Sequence, residues 1–165
     1  MGGVELLSLD LDGNDYWVGE CLDFTGIQII VVEYNPLFGH LYPVTIPRDD
    51  HFDRSSAHFS WLYYGSSLRA WLYLLSDRGF TFLGTNRVGN NAFFCPSDRL
   101  NDFPLNAPDV RDLSRFVDWR VREGRDEDGN LSFENSDNCI AEIANLPLVN
   151  VQTGEVVSVS FANGI

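Results

Sequence analysis

The sequence predicts an α/β fold: a partial, largely parallel sheet with one antiparallel strand, followed by a small α+β extension. Three observations lead there. Two apolar runs, "VELLSL" and "IQIIVVEY", are separated by a short helical segment and close on acidic or amide side chains, which is the pattern of a βαβ unit. A helix stripe and two aromatic strands joined by a turn follow. Beyond about Arg99 the chain becomes charged and its periods shorten, so residues 1–98 are expected to form the main domain and 99–165 an extension.

Taken in order, Val4–Leu11 is apolar on both alternating faces, as suits a buried parallel strand. Asn14 or Asp15 can cap a helix running to about Leu22. Gly26 ends the connection, and residues 27–34 form the second strand, rich in β-branched side chains. From Pro36 to Gly65 no period is sustained. This stretch holds His40, His51, His58, Arg48, Arg54 and many aromatics, and it reads as a lid over the strand ends. Ser66 or Ser67 can cap a helix whose apolar stripe is Leu68, Trp71, Leu72 and Leu75. "FTFLGT" and "NAFFC" are strands suited to antiparallel pairing, and Pro96 ends the second. In the extension, Val110, Leu113, Phe116 and Val117 suggest one face of a helix, "DEDGN" a turn, "NCIAEIANL" a short helix and "LVNVQTGEVVSVSF" a hairpin.

Composition limits the partners. The chain has 165 residues, 44% of them hydrophobic, and a net charge of -13; all 11 basic residues are arginine. That field repels phosphate backbones and anionic headgroups, so neither nucleic acid nor a membrane surface is expected as a partner. No apolar stretch approaches the roughly 18 residues of a spanning helix. Three well-separated cysteines, Cys21, Cys95 and Cys139, form no metal or redox motif. A cytoplasmic location follows as the expectation.

The chemistry is concentrated in "LLSLDLDGNDYW", where an apolar run meets two aspartates one residue apart. Ligands in open parallel sheets bind beyond the carboxyl ends of the strands. Asp10, Asp12, Glu33 and Asn35 all fall there, and carboxylates gathered in one place repel unless a cation or a proton is shared. "LDLDG" resembles the haloacid dehalogenase phosphatases, which implies Asp10 as nucleophile and Asp12 as general acid/base with Mg²⁺. Against that resemblance, Asn14 stands where that class has threonine, and the sequence offers no lysine for the phosphoryl group.

A second resemblance covers residues 4–98. "LLSLDLDGNDYW", "IIVVEYN" and "LLSDRGFTFLGTNRVGNNAFF" are similar to the fourth strand, the fifth strand, and the helix, sixth and antiparallel seventh strands of class I, S-adenosylmethionine-dependent methyltransferases of the FkbM type. The resemblance implies a partial Rossmann-like sheet and O-methyl transfer to a saccharide or small metabolite. It places Asp10, Gly13 and Asn14 toward the cofactor. By similarity to cation-dependent O-methyltransferases, Asp12 (or Asp10), Glu33 and Asn35 become ligands for Mg²⁺. His58 or His51, in the lid, could act as general base. No E/D-x-G-x-G-x-G stretch occurs in these residues. The expectation is therefore a cofactor-gripping N-terminal half elsewhere, in a longer protein or in a second chain that completes the sheet, a homo-oligomer included. A non-catalytic interaction or assembly module of the same fold is the alternative, because an unpaired edge strand invites association.

Overall fold

The computed structural model describes residues 5–119 and 123–165. Val4 and the 120–122 part of the charged segment lie outside the described residues. The architecture is mixed α/β, with a mixed four-stranded sheet that includes one parallel pair of neighbours.

β1 (Leu6–Leu9) and β2 (Ile29–Glu33) are that pair, joined through α1 (Asp15–Cys21). Both strands stop short of the expected limits, because the chain leaves the ladder where Asp10 and Tyr34 follow. Ser67 starts α3 (Leu68–Asp77) by accepting a hydrogen bond from the Ala70 amide at 3.2 Å. β4 (Phe80–Thr85) and β5 (Asn91–Pro96) come next, and the sheet order is β1-β2-β5-β4. β5 is antiparallel to both neighbours, inserted between β2 and β4. A register shift between Phe82 and Gly84 marks a bulge, and Gly84, at φ 137°, supplies a backbone that other residues resist.

The expected stripe on α3 is core. Trp71 is fully buried with Leu68 and Leu75, among Ile30, Val32 and Phe94 of the sheet. Its indole N–H donates to the Glu33 carbonyl at 2.8 Å. α1 approaches closely because of Gly19: a Cβ there would lie 2.7 Å from the Trp71 ring.

Residues 36–65 differ from the expected lid. They contain a 3-10 turn at Pro36–Phe38, β3 (Val44–Thr45) and α2 (Arg54–Ala57), and they bury Leu37, Phe38, Val44, Ile46, Leu62, Tyr63 and Tyr64. The extension closes over them. After the small hairpin of β6 (Gly124–Arg125) and β7 (Leu131–Ser132), α4 (Ser136–Ile143) contributes Cys139 and Ile143 to this second core. β8 (Pro147–Asn150) and β9 (Val156–Ser158) form the expected hairpin, which ends at Ser158 rather than Phe161 because a helix begins there, and β8 pairs with β3 in the order β3-β8-β9. α5 (Val159–Ala162) completes it. The "lid" is thus half of a packed core.

The helix expected around Val110–Val117 is not formed. Only a 3-10 turn, Ser114–Phe116, is present; Leu113 is buried and Val110 exposed. Side chains took the backbone donors first: Asp109 accepts from the Arg111 amide and Asp112 from the Ser114 amide, the local bonding that competes with a helix.

Candidate functional site

The site is assembled where the parallel pair ends. The ladder runs to Leu9 opposite Val32, so Asp10 and Glu33 leave the two strands side by side. The next turn is held from within. Asp15, almost wholly buried, accepts hydrogen bonds from the Leu11 amide at 2.7 Å and the Gly13 amide at 2.9 Å. Asp12, between those anchors, adopts a left-handed backbone with φ 55°. Aspartate tolerates that region better than most residues.

One carboxylate oxygen from each of Asp10, Asp12 and Glu33 lies within 4.8 Å of the others. Asp10 and Asp12 are open to solvent, whereas Glu33 retains 8% of its exposure. Its Oε1 accepts a long hydrogen bond of 3.4 Å from the Asn90 side chain, and its Oε2 is buried with no partner. Burial pushes the Glu33 carboxyl up to about 8; Asp10 and Asp12 push the same way, and Arg54 opposes them. Asp10 is raised too, first by its partial loss of water and then by Asp12 and Asp15.

Among the described residues, Arg54 is the cation paired with this cluster. Its Nη1 donates to Asp12 Oδ1 at 2.5 Å and its Nε to the Trp61 carbonyl at 2.6 Å, and the guanidinium lies 3.8 Å over the ring of buried Tyr64. Asp53 caps α2 through the Ser56 amide and thereby fixes the start of the helix that carries Arg54. Arg54 lines a cavity of about 310 Å³ shared with Glu33, Tyr64 and Asn90, and another of about 260 Å³ shared with Asp12, Phe52 and Trp61. Sequence reasoning gave Arg54 no role, because nothing in the local pattern joins positions 42 residues apart.

The other expected site residues are placed elsewhere or are otherwise engaged. Asn35 is fully buried, and its amide is used within the fold: Nδ2 donates to the Leu62 and Tyr64 carbonyls, and Oδ1 accepts from the Leu37 amide. It pins the 62–64 segment to the end of β2 rather than joining the carboxylates. Gly13 faces Phe52, where a Cβ would come within 2.3 Å of the ring. Asn14 caps α1 without a side-chain bond; its side chain instead donates to the Asp49 carbonyl at 2.6 Å. His58 holds Ser60 Oγ at 2.8 Å through Nδ1 and lies against Phe59, with no contact to the cluster. Among the described residues no disulfide is formed; Cys21 is exposed and Cys95 and Cys139 are buried. Among the described residues no helix is long and apolar enough to cross a membrane.

Chemically, three converging carboxylates with one unsatisfied buried oxygen suit a hard divalent cation, which takes oxygen ligands and leaves positions for a bound molecule. Comparison of the chain with family models, with curated proteins and with solved structures gives no match.

Proposed function

We propose that this chain is the acceptor-binding half of a methyltransferase-like α/β protein, in which Asp10, Asp12 and Glu33 hold a divalent cation such as Mg²⁺ beside the hydroxyl of a small molecule or saccharide. Two observations on Glu33 carry this reading: its Oε2 is buried without a partner, and a carboxylate oxygen of Glu33 lies within 4.8 Å of oxygens from both aspartates. Leaving such an oxygen without a partner is costly, and a cation removes that cost. The succession α3, β4, antiparallel β5 supports the methyltransferase-like sheet.

A bound cation supplies Lewis acidity, which lowers the pKa of a hydroxyl that reaches it. The residues do the rest. Asp15 fixes the turn that presents Asp12, and the ladder fixes Asp10 against Glu33. Burial holds the Glu33 carboxyl up at about 8 in the metal-free protein, so cation uptake must displace its proton and is expected to strengthen as pH rises.

S-adenosylmethionine fits this chain less well. Of the three residues the resemblance places toward it, Asp10 is open, while Gly13 is covered by Phe52 and Asn14 is tied to Asp49. A donor-binding half would join at β1, which ends the sheet among the described residues and where Leu6 is exposed.

Calorimetric titration tests the reading. Mn²⁺ is expected to bind saturably at one site and to weaken at least about tenfold in Glu33→Gln, while S-adenosylmethionine shows no saturable heat with this chain alone. Absence of Mn²⁺ binding, or an unchanged Glu33→Gln, would remove the cation site. Saturable binding of the cofactor would show that its site is built here without another half.

A second reading, a phosphatase of the haloacid dehalogenase kind, is favoured by one observation: Arg54 stands beside Asp12 as a cation in a sequence without lysine. It predicts turnover of an aryl phosphate with Mg²⁺, lost in Asp10→Asn.

A further inference from the structure

We infer that Arg54 recognises an anionic oxygen of the bound molecule, so that the ligand of this site carries a carboxylate or phosphate beside its hydroxyls; the inference rests on the cation reading above. Three contacts immobilise the guanidinium, from Asp12, from the Trp61 carbonyl and from the ring of Tyr64. Among the described residues, Asp12 and Trp61, at φ 55° and 59°, are the two non-glycine positions with a left-handed backbone. Both hold the same arginine. A left-handed backbone is unfavourable for an L residue, above all for a bulky one such as tryptophan, so the surrounding fold imposes the geometry that fixes this side chain.

That fixation leaves part of the fork unused. None of the Arg54 hydrogen bonds employs Nη2, and the side chain keeps 22% of its exposure between two cavities. A guanidinium held in place with free N–H groups is organised for carboxylate or phosphate oxygens, since the ordering cost of its long side chain has already been met by the fold. Charge sets the order of events. Asp10, Asp12 and Glu33 stand beside Arg54, and Glu123 and Asp53 also line its two cavities, so without the ion the surroundings repel an anion and a divalent ion reduces that repulsion. Anion binding is therefore expected to require the ion.

The test titrates D-glucuronate, D-glucose and glucose 6-phosphate into the Mn²⁺-loaded chain. The first two share their ring hydroxyls and differ in the carboxylate; the third replaces it with phosphate. At least one of the two anions is expected to bind about tenfold tighter than glucose, only with Mn²⁺ present, and the tighter of them identifies the oxygen group. Arg54→Gln should abolish that preference without losing Mn²⁺. Arg54→Lys, which keeps the charge but not the planar fork, should reduce it, and serves as the readout if Arg54→Gln does not fold. Glucose bound as well as either anion, no uptake of any of the three, or a preference undiminished in the folded variants would overturn the inference while leaving the cation reading intact. Failure of Mn²⁺ to bind at all would remove both.

Discussion

Glu33 shows what a single side chain can cost and supply at once. Its folded carboxyl stands at about 8, above the ordinary 4.5, because burial and two aspartates disfavour the charged form. Between those values the folded state keeps a proton that the unfolded state has released, so stability falls as pH rises from about 4.5 to about 8 and then levels. The slope is at most about 1.4 kcal/mol per pH unit. Urea unfolding across that range should show the decline in the native chain and a shallower one in Glu33→Gln, where the raised Asp10 still contributes, and added Mn²⁺ should recover stability at the alkaline end. Asp15 is also buried, but each of its two oxygens accepts an amide hydrogen bond. Asp15→Ala should cost about 1–3 kcal/mol by leaving those amides without an acceptor, a loss measurable by the same unfolding curves. Both residues could be read as strand-end or helix-start carboxylates from the sequence, which brought Glu33 to the site and assigned Asp15 to capping. The missing information was depth: no local pattern tells that Glu33 is buried with an empty oxygen or that Asn35, two residues on, is used up inside the fold.

At the level of elements, legibility followed regularity. β2 and α3 were visible because their apolar residues repeat at the strand and helix periods, and the "DEDGN" turn and the final hairpin because their turn residues are decisive. The 110–117 segment had helical spacing too, but Asp109 and Asp112 bond to amides two residues on, and turn chemistry prevailed over periodicity. The turn between β1 and α1 yields a packing prediction. Gly13→Ala places a methyl group against Phe52, with an expected loss of about 1–3 kcal/mol by thermal or urea unfolding. Phe52→Ala in the same chain should return part of that loss, because it opens the space; an additive pair would mean that the two do not meet.

The molecule as a whole is organised around two cores rather than a domain with a lid. Residues 36–65 lacked a period because they are short pieces enclosed by partners from far along the chain, and an irregular segment buried from several sides displays neither alternation nor a stripe. Leu148, fully buried in β8, belongs to that second core together with residues of the 36–65 segment. Leu148→Ala should destabilise by about 2–5 kcal/mol. Hydrogen exchange should then quicken at residues 44–46 together with residues 147–150, whereas a detachable lid would lose protection alone. The pairing of β3 with β8, and the bond from Asn163 to the Leu37 carbonyl across 126 residues, also set a timetable for folding. Loop closure over such a span precedes the contacts that reward it, so the second core is expected to form late and slowly. During synthesis the aromatic stretch before α3 emerges well ahead of the strand that will cover it, and through that interval the nascent chain carries an uncovered sticky surface for which chaperones compete with misassembly.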